Sequence, residues 1–332
     1  MAHRSAKVTN VAASVRAHLA RLADQQRRSL NDLILLYALE GFLRRLAYSS
    51  HREQLVLKGG LLLFALRTES NRPTRDVDLL GLHLPVDRVK IANLVRELCA
   101  QPLPEDDGLR FDAESVETNT IIEDGDYEGV RARFYGYLDR ARTRLAIDFA
   151  VGDPIVPGPR EFPYPTLLDQ RPFTLQTYSL ESVIAEKLDA LVQRGLLTSR
   201  LKDCYDLWTL AREQTLDGAT LQQAIQATFT MRSRVFTPEL PIILTPAFAE
   251  DAQKQQQWAA FLAAKSAGGA PIALAEALEP VIRLLAPIWQ ALSTEHPFSG
   301  IWDNTAATWQ DMLSSDSSLA LENELSNLTS SE

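Results

Sequence analysis

Apolar positions recur at helical spacing through the first fifty residues, and then the rhythm changes. Residues 10–48 predict two helices. In the second, Ser29 is placed as N-cap, and Leu30, Leu33, Ile34, Tyr37, Ala38 and Phe42 line one face. Glu40 and Arg44 form an i,i+4 pair on that helix, worth roughly a few tenths of a kcal/mol. From residue 55 short apolar runs and alternation take over. Leu55–Leu57 predicts a strand, Gly59-Gly60 a turn, Leu61–Leu66 the start of a helix, Val77–Leu80 a second strand and Val86–Ala100 a helix. The stretches 130–138 and 144–151 alternate strictly and predict an antiparallel hairpin across the polar turn Asp139–Thr143. Prolines 154, 157, 159, 163, 165 and 172 then mark an irregular connection. Beyond it the pattern is helical from Ser179 to about Gln310. The expected plan is N-terminal helices (1–50), a small mixed-sheet core (51–155), a connection (156–178), a helical domain (179–313) and a loose polar tail (314–332).

Composition narrows the class without naming it. No apolar run approaches the ~20 residues needed to cross a bilayer, so no membrane partner is expected. Cys99 and Cys204 are the only cysteines. They form neither a disulfide framework nor a metal cluster, which suits a reducing, cytoplasmic setting. The net charge of −9 argues mildly against a nucleic-acid partner. It is unevenly spread, however: residues 1–58 hold ten Lys or Arg against four Asp or Glu. That segment could meet a polyanion, or its charges could be ordinary scatter on helix surfaces.

The chemistry concentrates in four places. Asp76 and Asp78 are two apart on a strand and project to the same face. Two carboxylates ~4 Å apart repel by several kcal/mol unless solvated, sharing a proton or bridged by a cation. A hard divalent cation with phosphate oxygens answers this well. Ahead of them, Lys58-Gly59-Gly60 opens a helix, where backbone N–H groups can hold phosphate; a plain strand-to-helix turn would use the same glycines. Asp148 stands between two alanines on an apolar strand, either beside a ligand or at the surface. Lys187 falls inside the apolar stripe of residues 179–195, where it must snorkel or reach a buried anion. Glu186 and Asp189 lie off that stripe and are expected to be solvated. In the next helix Asp203 lines up with Leu207 and Leu210, and Lys187 or an arginine is its expected partner; Lys202 and Asp206 flank it.

Taken in order, the segments 14–46, LVLKGGLLLFALR (55–67), RPTRDVDLLG (72–81), LAIDFAVGDP (145–154), YSLESVIAEKLDALVQRG (178–195), SRLKDCYDLWTL (199–210) and QQQWAAFLAAK (255–265) resemble the AbiEii/AbiGii-type nucleotidyltransferase toxins of bacterial type IV toxin–antitoxin systems. The resemblance implies an α+β fold, with a polymerase-β-like nucleotidyltransferase core and an α-helical C-terminal domain. It implies Mg²⁺ or Mn²⁺ on Asp76, Asp78 and Asp148, with an NTP as substrate. Lys58, Gly59, Gly60, Arg75 and Lys187 would meet the nucleotide, and Asp203 would orient Lys187 or touch the nucleotide. Asp148 would be able to take the acceptor's proton, and Arg75 could equally form an ordinary salt bridge. The implied partners are tRNA or another RNA as acceptor and a cognate antitoxin. One departure is Gly60, where many nucleotidyltransferases have serine. Phosphate contact would then come from backbone alone. A small-molecule or protein acceptor, and an inactive binding protein of the same fold, remain as alternatives.

Overall fold

A computed structural model describes residues 10–66, 74–85, 87–123, 127–168, 170–264 and 273–311. The tail expected at 314–332 lies outside them, as do residues 1–9, Arg72, Pro73, Lys265 and the Val86 start expected for one helix. The described residues divide into two compact units. The first runs to Tyr178 except for Pro154–Pro157, which group with the second from Ser179 onward.

The first unit begins with helices α1 (Val11–Gln26) and α2 (Leu30–Ala47). They are followed by β1 (Leu55–Lys58), α3 (Gly59–Ala65), β2 (Val77–Gly81) and α4 (Arg88–Ala100). Five more strands complete it: β3 (Leu109–Glu123), β4 (Tyr127–Leu138), β5 (Ala141–Val151), β6 (Arg160–Tyr164) and β7 (Phe173–Thr177). Side-chain caps start two of the helices: Asn10 accepts from the Ala13 N–H, and Asp87 from those of Val89 and Lys90. The strands form one sheet in the order β3-β4-β5-β2-β1-β7-β6. The β2/β5 and β1/β7 pairs are parallel and the rest antiparallel. The α+β class and the mixed sheet expected from the sequence are borne out. One sheet face is apolar and covered by α2 and α4. There Phe42 meets Phe111 and Phe134, with ring centres 6.4 and 5.5 Å away. The opposite face carries Asp78, Asp148 and Arg131.

One strand had no expectation, and two expectations fail, each for an identifiable reason. Strand β3 shows no continuous alternation because a bulge between Asp112 and Glu117 shifts its register. The buried positions therefore switch from Leu109 and Phe111 to Val116. The proline-rich connection contributes β6 and β7. Pro163 is tolerated because β6 is the outermost strand of the sheet. Glu40 and Arg44 are 2% and 6% exposed and belong to a buried network. Arg44 donates to Glu40 and Gln170, each at 2.5 Å, and to Asp107 at 3.3 Å, while Arg45 donates to Asp107 at 2.8 Å. Burial pushes the Glu40 carboxyl up to about 7, although Arg44 and the Leu167 N–H oppose it.

The second unit contains α5 (Leu180–Arg194), α6 (Leu201–Glu213), β8 (Leu216–Asp217), α7 (Gly218–Met231), α8 (Pro246–Glu250), α9 (Ala252–Ala264), α10 (Leu274–Ser293), β9 (Ile301–Asp303) and β10 (Thr308–Gln310). It is not wholly helical: β10, β9 and β8 make a small antiparallel sheet. Strands of two or three residues are too short to show a period. Aromatic side chains fill this core. Tyr205 packs against Trp208, Trp258 and Phe261, and Phe229 against Phe236 and Trp289. Asp189, expected in solvent, is fully buried and accepts from Arg232 at 2.7 Å and from Arg234. No described helix is long and apolar enough to cross a membrane.

Candidate active site

Parallel pairing of β2 with β5 sets Asp78 directly beside Asp148. Asp76, just before β2, completes the group, and one carboxylate oxygen from each lies within 4.8 Å of the others. At that separation two full charges repel by about 3.5 kcal/mol at an effective dielectric of 20. Two local devices hold the group. The Thr74 hydroxyl donates to Asp76 Oδ1 at 3.2 Å. Arg131, on the neighbouring β4, grips Asp148 with Nε on Oδ1 at 2.5 Å and Nη2 on Oδ2.

Asp148 is 4% exposed, so the surface alternative for it does not hold. Its hydrogen bonds raise the Arg131 guanidinium above its ordinary range, and Asp76 and Asp78 add to the effect. Among these four groups one guanidinium meets three carboxylates, an acidic cluster of the kind a divalent cation suits. The donors are all oxygen, as a hard cation such as Mg²⁺ or Mn²⁺ prefers. These residues fit such an ion.

The glycine turn is bound to the same group. Gly59 has φ of +67°, and a Cβ there would lie 1.9 Å from Asp78 Oδ2. Its lack of a side chain thus makes room for the carboxylate as well as the turn. Gly60 follows in the first turn of α3. Lys58 pairs with Asp78 across the β1/β2 ladder, yet its ammonium donates to Asp153 at 2.9 Å and lies 5.1 Å from the Tyr178 ring centre. Arg75 is well exposed and stands 3.6 Å from Asp32, an ordinary surface pairing.

Lys187 and Asp203 form a cluster within the second unit. Lys187 Nζ donates to Asp203 at 2.8 Å and to Asp206 at 2.7 Å, and Arg200 donates to Asp203 at 2.5 Å. Burial opposes charge on Lys187, but the two carboxylates outweigh it and hold the ammonium above its usual range. Asp203 is likewise opposed by burial and held at about 2 by Lys187 and Arg200. Asp206, read from the helix wheel as a mere flank of Asp203, is fully buried and equally engaged.

The family model for the nucleotidyl transferase AbiEii toxin of type IV toxin–antitoxin systems matches residues 41–280, well over half of the chain. The chain belongs to the AbiEii toxin family. Its nucleotidyltransferase core and toxin class follow from that membership. No curated protein matches it. Two solved Helicobacter pylori structures are similar. One, described as a candidate nucleotidyltransferase, aligns at 16% identity over 80% of this chain and 95% of its own, with a TM-score of 0.43. The other, JHP933, aligns at 15% identity over 80% of this chain and 94% of its own, with a TM-score of 0.44.

Arg131, Arg200 and Asp206 were not singled out from the sequence of this AbiEii family member. Arg131 was within reach, because β4 and β5 are one hairpin and its register follows from the turn. With the turn at Asp139-Arg140, Leu138 opposes Ala141 and Arg131 opposes Asp148. The longer turn expected from polarity would have set Asp148 against Phe134, on the apolar face.

Proposed function

We propose that this protein transfers a nucleoside monophosphate from an NTP to the 3′-terminal hydroxyl of an RNA, with tRNA the first acceptor to test. Growth inhibition through loss of translation would follow from that modification. The observation that carries the reading is the convergence of Asp76, Asp78 and Asp148 on one sheet face, beside the Gly59 turn. The acceptor oxygen attacks the α-phosphorus, the bond to the bridging oxygen of the β-phosphate breaks, pyrophosphate leaves and the hydroxyl proton passes to water. A divalent cation held by the three aspartates would neutralise the phosphates and steady the leaving group. Asp148 serves here to hold charge and to orient Arg131. Both of its oxygens accept from Arg131, and the hydroxyl proton is assigned to water instead. Arg131, drawn to all three acids, places a guanidinium where incoming phosphate oxygens would meet it. Lys187 and Asp203 are assigned a positioning role within the second unit, whose helices α5 and α6 they join.

The test is incubation of the full chain with each α-labelled NTP, Mg²⁺ or Mn²⁺, and total RNA, with protein alone in parallel. Label at RNA 3′ ends that falls at least about a hundredfold in Asp76→Ala and Asp78→Ala supports the proposal. Label on protein or a small molecule would replace the acceptor class. Absence of transfer with all four NTPs would overturn the chemistry. Co-expression with a neighbouring antitoxin gene is expected to relieve growth arrest.

A further inference from the structure

The sheet face that carries the aspartates continues along β4 and β5, away from them. Cross-strand pairing sets Asp148, Arg131 and Asn119 in one row, and Ala146, Arg133 and Glu117 in the next. Arg144, Tyr135 and Asp112 follow, then Arg142, Tyr137 and Arg110. The alternate positions, including Phe134 and Leu138, are buried on the other face. Arg110, Arg142 and Arg144 are exposed, and Arg133, Tyr135 and Tyr137 are half-buried.

Two guanidinium groups lie against the rings: Arg110 is 4.1 Å from the Tyr137 centre and Arg142 3.6 Å from that of Tyr135. Beyond the Asp148 row, four arginines thus share the strip with Asp112 and Glu117, and Arg144 pairs with Glu117 at 3.3 Å. The strip is basic on a chain whose net charge is −9. At about 3.3 Å per residue it runs some 20 Å from Asp148 to Arg142.

We propose that this strip binds the single-stranded 3′ segment of the acceptor RNA and leads its terminal hydroxyl to the aspartates. The inference rests on the nucleotidyl-transfer reading above and adds the surface that reads the acceptor. Two aromatic rings one row apart offer stacking platforms, which every base can use. The arginines beside them suit phosphates, and their planar groups extend the stacking surface. A base reaches such rings only when it is unstacked, so the fit is to a single strand rather than a duplex. Continuity with the aspartates favours RNA over an acidic protein as occupant, because a polynucleotide lying on the strip ends where the chemistry is placed.

The experiment is fluorescence anisotropy of the full chain with a 5′-fluorescein single-stranded RNA of about 12 nucleotides, a length within the span such surfaces cover. It is repeated over a range of salt concentrations, with a melting curve for each variant. Tyr135→Ala and Tyr137→Ala are each expected to weaken binding roughly tenfold with the salt dependence unchanged. Arg142→Gln and Arg144→Gln are each expected to lower the slope of log affinity against log salt by about 0.7. Asp76→Ala retains RNA binding while losing transfer.

Parent-like binding in the four strip variants overturns the inference. So does a parent that binds no single-stranded RNA, which would leave an acidic protein as the occupant the charges suit. In either case, label transfer to some other acceptor would leave the nucleotidyl-transfer reading standing. Strip-dependent RNA binding by a protein that transfers no nucleotide supports the surface and overturns that reading instead.

Discussion

Replacing Lys187 with methionine keeps most of the side chain's length and removes its charge from between two buried carboxylates. Asp203 and Asp206 are 1% and 0% exposed, and the ammonium stands 2.8 and 2.7 Å from them. Burial alone would raise the Asp203 carboxyl, yet Lys187 and Arg200 hold it at about 2 against an ordinary 3.8. That difference corresponds to about 2 kcal/mol. Because the folded value lies below the unfolded one, this stability is present above about pH 4 and is lost as pH falls from there towards 2. The raised Lys187 contributes below its unfolded value and is lost only at strongly alkaline pH.

Removing one partner of a buried ion pair costs about 3–5 kcal/mol. Arg200 still holds Asp203 in the variant, so a loss of about 3 kcal/mol at pH 7 is expected. Urea unfolding followed by tryptophan fluorescence reads this cleanly. All five tryptophans, at 208, 258, 289, 302 and 309, lie in the second unit, so the signal reports that unit. A midpoint at pH 7 equal to the parent's would refute the reasoning. Unchanged stability with lost nucleotidyl transfer would move Lys187 from a positioning role to a catalytic one.

Three further outcomes follow from the first unit. Gly59→Ala forces a positive φ on a residue with a Cβ, costing about 1–2 kcal/mol, and displaces the Asp78 carboxylate. Calorimetric titration should show at least about tenfold weaker Mn²⁺ binding, and parent affinity would contradict the overlap of turn and site. Arg131→Leu leaves Asp148 beside Asp76 and Asp78 without its cation. Its melting temperature should fall without metal and be restored by Mn²⁺ by a wider margin than the parent's; an equal margin would remove Arg131 from the site's electrostatics. Glu40 has a folded value of about 7 against 4.5, so the native state holds its proton more tightly. The parent should therefore lose on the order of 3 kcal/mol as pH rises from 4.5 to 7, and Glu40→Gln should abolish that slope in urea unfolding.

Local pattern was enough to find the parts of this protein that depend on neighbours in sequence. Helices α2, α5 and α6 show their apolar stripes, and the Asp76/Asp78 spacing on β2 declares two carboxylates on one face. Lys187 and Asp203 stood out because a charge inside an apolar stripe needs a partner, and the fold makes them partners. The ordered run of segments also carried the family likeness, since it depends on residue identity rather than on contacts.

What depended on register or on distant chain was decided only in three dimensions. Whether Asp148 faced solvent or the aspartates turned on a two-residue turn at Asp139-Arg140, because a shift of an odd number of residues exchanges the faces of a strand. The same register brings in Arg131, which alternation alone could not distinguish from Arg133, the other outward arginine of β4. Strand β3 hid behind its bulge, and β6 and β7 behind prolines that an edge strand accommodates. Asp189 looked like a solvated charge, Glu40 like half of a local i,i+4 pair and Asp206 like a flank of Asp203. The Leu167 N–H on Glu40, Arg232 on Asp189 and Lys187 on Asp206 stand 19 to 127 residues away in sequence, so only the folded chain could show that each charge is buried and answered.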